Sequence, residues 1–509
     1  LKRVFYIECA GAVWRSIADH CRQQAAWQPV LWTAPADDQP AVLRLNPDAV
    51  FIAGPDAALG MPGQTAPWPL PALDAGLLAA LSSAEITALH MMDRMDIASG
   101  KGFTHDQRRR HYYGLLRYWL GALEALKPDL IVFSISPHIV FDYVLFALAR
   151  HLGIATVMFE RLGMPGWVFP IESFTQGSDA LRSALKERPG AQASELPGDF
   201  QKWFVNSTQG QADVPANYKK KLARYGLQGR AATPPLGRAM VYELRRAVNL
   251  WRKYGFGPMR NSYLRSASYP HDRAGWTETL LARLRGLILK RGLMRRYDAL
   301  CRALEPEQNY VFLALHYQPE RATVPLGGVF GDQTLIVDML AKNLPKDWKL
   351  YVKEHPWQLQ PFGWGEMQRT QEFYDAIAAY PNVVLVPRDV ETSELVSGAK
   401  AVATVTGSVG WDAMCKGIPV LLFGAAWYRD GEGVLPIASS TSLADALQRI
   451  AGGWKPQLDA VAALCLAFSR ICLQGVLEPE LEQAEHLAHD DAAQAMSDGL
   501  IAFVKARHP

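Results

Sequence analysis

From residue 309 to residue 424 the chain repeats one pattern: a short apolar run, a polar loop, then an amphipathic stretch of helix length. NYVFLAL is followed by GDQTLIVDMLAKNL, WKLYVKEHP by EFYDAIAAY, NVVLVP by ETSELVSGA, and AVATVTGS by GWDAMCKG and IPVLLFG. The apolar runs do not alternate with polar residues, so both faces of these strands must be covered, as in a parallel sheet flanked by helices. The same order occurs at DLIVFSI (129–135), FDYVLFALARHLG (141–153, with Gly153 as its C-cap) and IATVMFE (154–160). VFYI at 4–7 and VLRL at 42–45 read as further strands. The fold class is therefore α/β, with two doubly wound halves, and such sheets bind ligands beyond the carboxyl ends of their strands.

A chain of 509 residues, 49% hydrophobic, is too long for one ordinary core. Four segments follow from the pattern: a Rossmann-like first domain over 1–207, a basic, mainly helical insertion over 208–304, a second Rossmann-like domain over 305–480, and a helical tail over 481–509 that can pack back on the first. The six cysteines are scattered without metal-ligand spacing, which predicts buried thiols in a reducing compartment and no metal site. The opening LKRVFYIECAGAVWRSIADHC reads as strand then helix rather than as a signal peptide, and no window reaches the roughly 18 apolar residues of a spanning helix. The expectation is a soluble, cytoplasmic protein.

Net charge of +3 conceals an uneven distribution. Residues 219–296 hold 19 Lys/Arg against three acids, which leaves 34 basic and 47 acidic residues elsewhere. YELRRAVNLWRKYGF and ARLRGLILKRGLMRRY place Arg245, Arg246, Arg252, Lys253, Arg295 and Arg296 beside Trp, Leu and Tyr, as in an interfacial helix pair. An anionic membrane face is the expected partner; no nucleic-acid motif accompanies the charge.

Polar residues gather where the strands of the second half should end: His316, Tyr317, Gln318 and Glu320; Lys353, Glu354, His355 and Pro356; Arg388 and Asp389; Thr406, Gly407 and Ser408; then Asp430 and Glu432. In a parallel sheet these loops open on one edge. Expelling a phosphate leaving group requires stabilisation of growing negative charge. His355 can supply it as a donor or cation, with Pro356 fixing the exit of the chain. Thr406, Gly407 and Ser408 lead into a helix whose first amides and Ser408 hydroxyl can cradle a phosphate, and Gly410 permits close backbone approach. Lys353 either faces the same anion or pairs with Glu354 at the surface. The first half must supply a general base: Glu160 before the loop RLGMPG, or Asp96 or Asp142. His138 and Arg161 can orient an anionic acceptor. G-x-G-x-x-G, Walker A, H-E-x-x-H and G-x-S-x-G are all missing, which argues against nicotinamide enzymes, P-loop kinases, zinc peptidases and serine hydrolases.

LHYQPERATVPLGG (315–328), LYVKEHP (350–356) and VTGSVGWDAMCKGIPVLLFG (405–424) resemble the capsule polysaccharide biosynthesis family, which includes bacterial ulosonic-acid (Kdo-type) glycosyltransferases of capsule and related surface glycans such as lipopolysaccharide. The His-Pro pair with a downstream hydroxyl-bearing stretch is also similar to sialyltransferase-type enzymes. The resemblance implies a GT-B fold, two Rossmann-like domains facing across a cleft, with the donor mainly in the second. It also implies that His355 meets the donor phosphate, that Thr406 and Ser408 stand at the donor hydroxyl motif, and that Glu320 lies in the first donor loop. The function implied is transfer of an ulosonic or nonulosonic acid from a CMP-activated donor to a glycan or glycolipid acceptor, by direct, inverting displacement, with no cofactor or metal required. A UDP-sugar or CDP-polyol-phosphate transferase, or a noncatalytic glycan-binding scaffold, is the alternative.

Overall fold

A computed structural model describes residues 1–60, 67–95, 104–210, 235–254, 276–305, 307–361, 363–475, 477 and 489–507. The first lobe runs β1 (Lys2–Ile7), α1 (Gly11–Ala25), β2 (Trp27–Ala34), β3 (Val50–Ala53), α2 (His105–Leu126), β4 (Leu130–Phe133), α3 (Val140–His151), β5 (Ala155–Arg161), β6 (Trp167–Ile171), α4 (Asp179–Glu187) and α5 (Gly198–Thr208). Its sheet is ordered β6-β5-β4-β1-β2-β3, parallel except for β6, and the winding reverses between β1 and β4. VLRL is not a strand: it belongs to a helix, Gln39–Leu45, with Pro40 in its first turn. Only Val42 of that run is buried, so there is no second face to cover. The neighbour of β1 is instead WQPVLWTA. Its Pro29 cannot donate a ladder hydrogen bond, and the pairing with β1 slips by one residue there, from Val4↔Pro29 to Phe5↔Leu31.

Two helices follow, α6 (Leu236–Tyr254) and α7 (Trp276–Leu300), packed on each other. The second lobe has β7 (Tyr310–Ala314), β8 (Lys349–Lys353), α8 (Gln371–Ala378), β9 (Val383–Leu385), β10 (Ala401–Thr404), α9 (Ser408–Cys415), β11 (Val420–Leu422) and β12 (Val434–Pro436). All six strands are parallel, in the order β12-β11-β10-β7-β8-β9, with the reversal between β7 and β10. The latter half of α7 is part of this lobe rather than of an insertion. Leu293, Met294 and Tyr297 lie in its core, and the Tyr297 hydroxyl donates to the Val386 carbonyl at 2.6 Å while accepting the Glu354 N–H at 3.1 Å. Lys290 is buried beside Glu366 at 3.0 Å and donates to the Gly363 carbonyl.

The chain returns to the first lobe earlier than residue 481. Helix α10 (Leu458–Ile471) packs on α4 and α5, β13 (Leu473–Gln474) pairs antiparallel with β6, and α11 (His489–Arg507) lies along α1. Met496, Leu500 and Val504 of α11 are buried there with Trp14 and Ile17. The result is two Rossmann-like sheets, with loops beyond the carboxyl ends of both in contact.

Candidate active site between two sheet edges

Loops after β7 and β10 leave opposite sides of the second sheet's reversal, and His316 joins them. Its Nε2 accepts the Thr406 N–H at 3.0 Å, while its own backbone N–H donates to Gln333 at 2.7 Å. The ring proton therefore sits on Nδ1, which is buried. Burial pushes this imidazole down to about 4, and Arg369 adds to the effect, so His316 is a neutral strut. The Thr406 hydroxyl donates to the Ala322 carbonyl at 2.9 Å, the Gly407 N–H donates to Thr404 Oγ1 at 3.1 Å, and the Tyr428 hydroxyl donates to the Gly407 carbonyl. A loop held at this many points presents the start of α9 in one orientation. Gly407 caps that helix without a side-chain hydrogen bond, and Ser408 is exposed in its first turn. Its leading amides are of the kind that bind anions. Gly410 is required for packing: a Cβ there would meet the Tyr428 hydroxyl at 2.2 Å.

The ion pair at the end of β8 is not Lys353 with Glu354. Lys353 is buried, and its ammonium donates to the Val390 carbonyl and to Thr392 Oγ1. Glu354 pairs with Arg369 at 2.7 Å with both side chains essentially inaccessible, and also accepts from the Tyr374 hydroxyl and the His355 N–H, each at 2.7 Å. Arg369 continues to Gln318 Oε1 at 2.7 Å and the His316 carbonyl at 3.1 Å, tying the β7 and β8 loops together. His355 is half-buried, and its Nδ1 accepts the Trp357 N–H at 3.1 Å, which leaves Nε2 as the ring's donor. Pro356 is half-buried beside it. Gln318 is enclosed, its amide donating to the Gly331 carbonyl and accepting from Arg369 and Gln333, so its polar atoms serve the loop. Glu320 is exposed. The β8 and β10 loops emerge on the same edge, two strand spacings or about 10 Å apart.

In the first lobe, Glu8 follows β1 at the sheet's own reversal, with a left-handed backbone (φ 55°) unusual for a residue with a side chain. Its N–H donates to Thr33 Oγ1 at 2.8 Å, and burial pushes its carboxyl up to about 7. Asp142 caps α3, accepting the His138 and Ile139 N–H groups at 3.0 and 2.9 Å; burial raises it well above the usual carboxylate range. His138 is pushed down to about 3, chiefly by burial and then by Arg321, Arg94 and Arg161. Glu160 lines a small pocket of about 20 Å³ with Phe169, Ser178, Trp427, Arg429 and Asp430, and its Oε1 is buried without a hydrogen-bond partner. Asp96 lies outside the described residues.

Contacts between the lobes run around this crevice. Arg321 donates to Ser136 Oγ at 2.9 Å, Arg94 to the Val324 carbonyl at 3.1 Å, Gln368 to Asp93 at 2.8 Å, and Arg182 meets Asp430 at 3.1 Å. One flank is a filled aromatic seam: Trp203 stacks on Trp411 (4.7 Å, 8°), and Trp427 leans on both. Gly163, in the loop expected to close over a substrate, is pressed against Trp427, where a Cβ would come within 2.6 Å.

The basic residues divide. Arg245, Arg252 and Arg295 are exposed, Arg246 lies 3.6 Å from buried Glu243, and Arg296 pairs with Asp375 at 2.6 Å; the Lys253 side chain is outside the described residues. Glu8, Arg94, Arg321 and Arg369 were not among the expected site residues. Glu8 had a signal, since it directly follows the first apolar run. The arginines had none, because their partners are remote in sequence.

Residues 261–442 match the family model described as capsule polysaccharide biosynthesis protein. No curated protein matches the chain. Among solved structures, the KpsC β-Kdo 2,7 transferase of Thermosulfurimonas dismutans is 9% identical, covering 75% of this chain and 88% of that one at a TM-score of 0.28. The β-Kdo 2,4 transferase of the same KpsC is 13% identical, covering 66% and 79% at 0.25. The UDP-GlcNAc 2-epimerase of Methanocaldococcus jannaschii is 12% identical, covering 92% and 99% at 0.24. Likenesses at these scores bear no weight on activity. The stretch matched by the family model takes in α7 and the strands β7 to β12 of the second lobe.

Proposed function

We propose that this protein is a glycosyltransferase that moves an ulosonic or nonulosonic acid from a CMP-activated donor to a bacterial surface-glycan acceptor. The observation carrying this reading is the uncapped start of α9, with Ser408 exposed, at the reversal of a parallel sheet whose edge loops meet the first lobe at Ser136 and Asp93. The α9 amides and Ser408 hold the donor phosphate, and His355 Nε2 offsets charge on the departing nucleotide. A first-lobe carboxylate takes the acceptor proton. Cytidine monophosphate leaves as a single phosphate, so no metal is required to bridge a diphosphate. The acceptor occupies the first-lobe side of the crevice, and its membrane carrier meets α6. A noncatalytic scaffold of the same fold would bind nucleotide without turnover.

The test is thermal stabilisation by CMP, CDP, UDP and GDP, compared at equal concentration. CMP at about 100 times its Kd should stabilise the fold by about 2.7 kcal/mol. Preference for UDP or CDP would replace the donor class, and no response to any nucleotide would overturn the reading.

A further inference from the structure

We propose that Tyr317 is a positioning residue for His355, and that helix α7 holds Tyr317 in place through the loop between β8 and α8. This rests on the glycosyl-transfer reading and deepens it.

The loop is seated on α7 by charge and by shape. The Lys290 ammonium donates to the Gly363 carbonyl at 2.8 Å and pairs with Glu366 at 3.0 Å, with the two charged side chains only 4% and 8% exposed. Gly286 makes room for that pair, since a Cβ there would meet Glu366 Oε1 at 2.2 Å. Arg283 lies over the Trp364 ring at 4.5 Å and 3.6 Å from Glu243, which is buried on α6. Removing one partner of a buried ion pair is costly, so the loop has one favoured seat on the helix.

From that seat the loop meets the β7 loop at Tyr317. The Trp364 N–H donates to the Tyr317 hydroxyl at 2.9 Å. Gly363 has a φ of 98°, and a Cβ on it would come within 2.6 Å of the same hydroxyl. The loop is thus shaped around the tyrosine oxygen, at a position that only glycine fills without strain. The Tyr317 ring lies 6.1 Å from the His355 ring and 6.3 Å from that of Trp357, and those two are 6.5 Å apart. His355 therefore has an aromatic neighbour on each of two sides, while the Trp357 N–H on its Nδ1 sets the tautomer. Packing of this kind locks the rotamer of a functional side chain. A histidine that answers charge on a departing phosphate needs that lock, because a misplacement of about 1 Å can cost about 100-fold in rate.

The test uses full-length protein and two measurements. The first is the nitrogen-15 spectrum of histidine-labelled protein, with His355 assigned by the signal lost in H355Q. The wild type should show one tautomer, protonated at Nε2, and Y317L should show the average of two. The second is transfer from a CMP-activated sugar. Y317F, which deletes a single oxygen, should lower kcat about tenfold with the donor KM within about twofold, and K290M should do the same from α7. In an H355Q background Y317F should cost nothing further, since residues that act as a unit are not additive. An unchanged tautomer in Y317L, or a full Y317F loss on top of H355Q, overturns the positioning role. A lower melting temperature in Y317F with kcat unchanged makes Tyr317 a structural residue and also overturns it. Wild-type kcat in K290M overturns the part given to α7. Tautomer averaging in Y317L, in a protein that transfers no CMP-activated sugar, would retain Tyr317 as the support of His355 and discard glycosyl transfer.

Discussion

Glu8 and Glu160 stand at the ends of β1 and β5 with β4 between them, and each meets part of what a general base needs. Glu160 lines a small pocket beside Trp427 and Asp430, with one oxygen buried and unbonded. Glu8 lies at the reversal of the sheet, where burial brings its carboxyl to about 7, near the pH at which a base works best. Because the base must be ionised, catalysis by Glu8 predicts kcat/KM rising with pH through an inflection near 7. E8Q should remove that inflection and lower the rate by about 100-fold or more. An inflection that survives E8Q, with a comparable loss in E160Q, assigns the proton to Glu160. The same burial acts on stability: the native state resists losing the Glu8 proton, so stability falls as pH rises from the ordinary 4.5 to about 7. His138 and His316, held neutral in the fold, act in the opposite sense and cost stability as pH falls below 6.5. At this scale the sequence was informative about residue type and less so about partners. KEHP marked the right strand end, but Glu354 is neutralised by Arg369, fifteen positions downstream in a loop without periodicity. A charge pair closed through tertiary structure leaves no local pattern.

Helix α6 carries Val241, Leu244, Val248 and Trp251 at spacings of three, four and three residues, and all are at least 40% exposed. These positions form one stripe along the helix, flanked by exposed Arg245 and Arg252. The buried side is held to α7, where Arg283 lies 3.6 Å from Glu243, and α7 is anchored in the second lobe by Tyr297. An apolar stripe edged by arginines suits the interface of an anionic bilayer. Binding to phosphatidylserine vesicles should weaken as salt rises from about 0.1 M to about 1 M, which shortens the screening length from about 10 to about 3 Å. R245Q with R252Q should lower affinity by about 30-fold, at about 1 kcal/mol per charge. Unchanged binding in the double variant contradicts the membrane assignment. No helix among the described residues is long and apolar enough to cross a membrane. Element type was legible wherever apolar runs were long and covered on both faces, as in β4, β5, β8 and β10. It failed at VLRL, where four residues are too few to separate one buried side from two, and at β2, where Pro29 disguised a central strand.

The two lobes are joined by more than a linker. The tail crosses back through α10, β13 and α11, and one continuous apolar cluster, including Trp411, Trp427 and Phe468, extends from the first sheet into the second. Burial of Met496, Leu500 and Val504 against α1, at about 1.5–3 kcal/mol each, makes that return a substantial part of first-lobe stability. With the seam filled on one flank, polar contacts between the lobes include Arg321 with Ser136, Arg94 with the Val324 carbonyl and Gln368 with Asp93. Two halves could be inferred from the repeating pattern, but the path of the tail could not, since nothing local in α10 says which lobe its apolar faces cover. The most direct test is a crystal structure of the full-length protein with CMP bound. The phosphate should lie about 2.7–3.2 Å from Ser408 Oγ and the leading α9 amides, within reach of His355, with the nucleotide in the crevice between the β7 and β10 loops. Nucleotide bound at the opposite edge of the second sheet, or outside the interlobe crevice, would contradict the account.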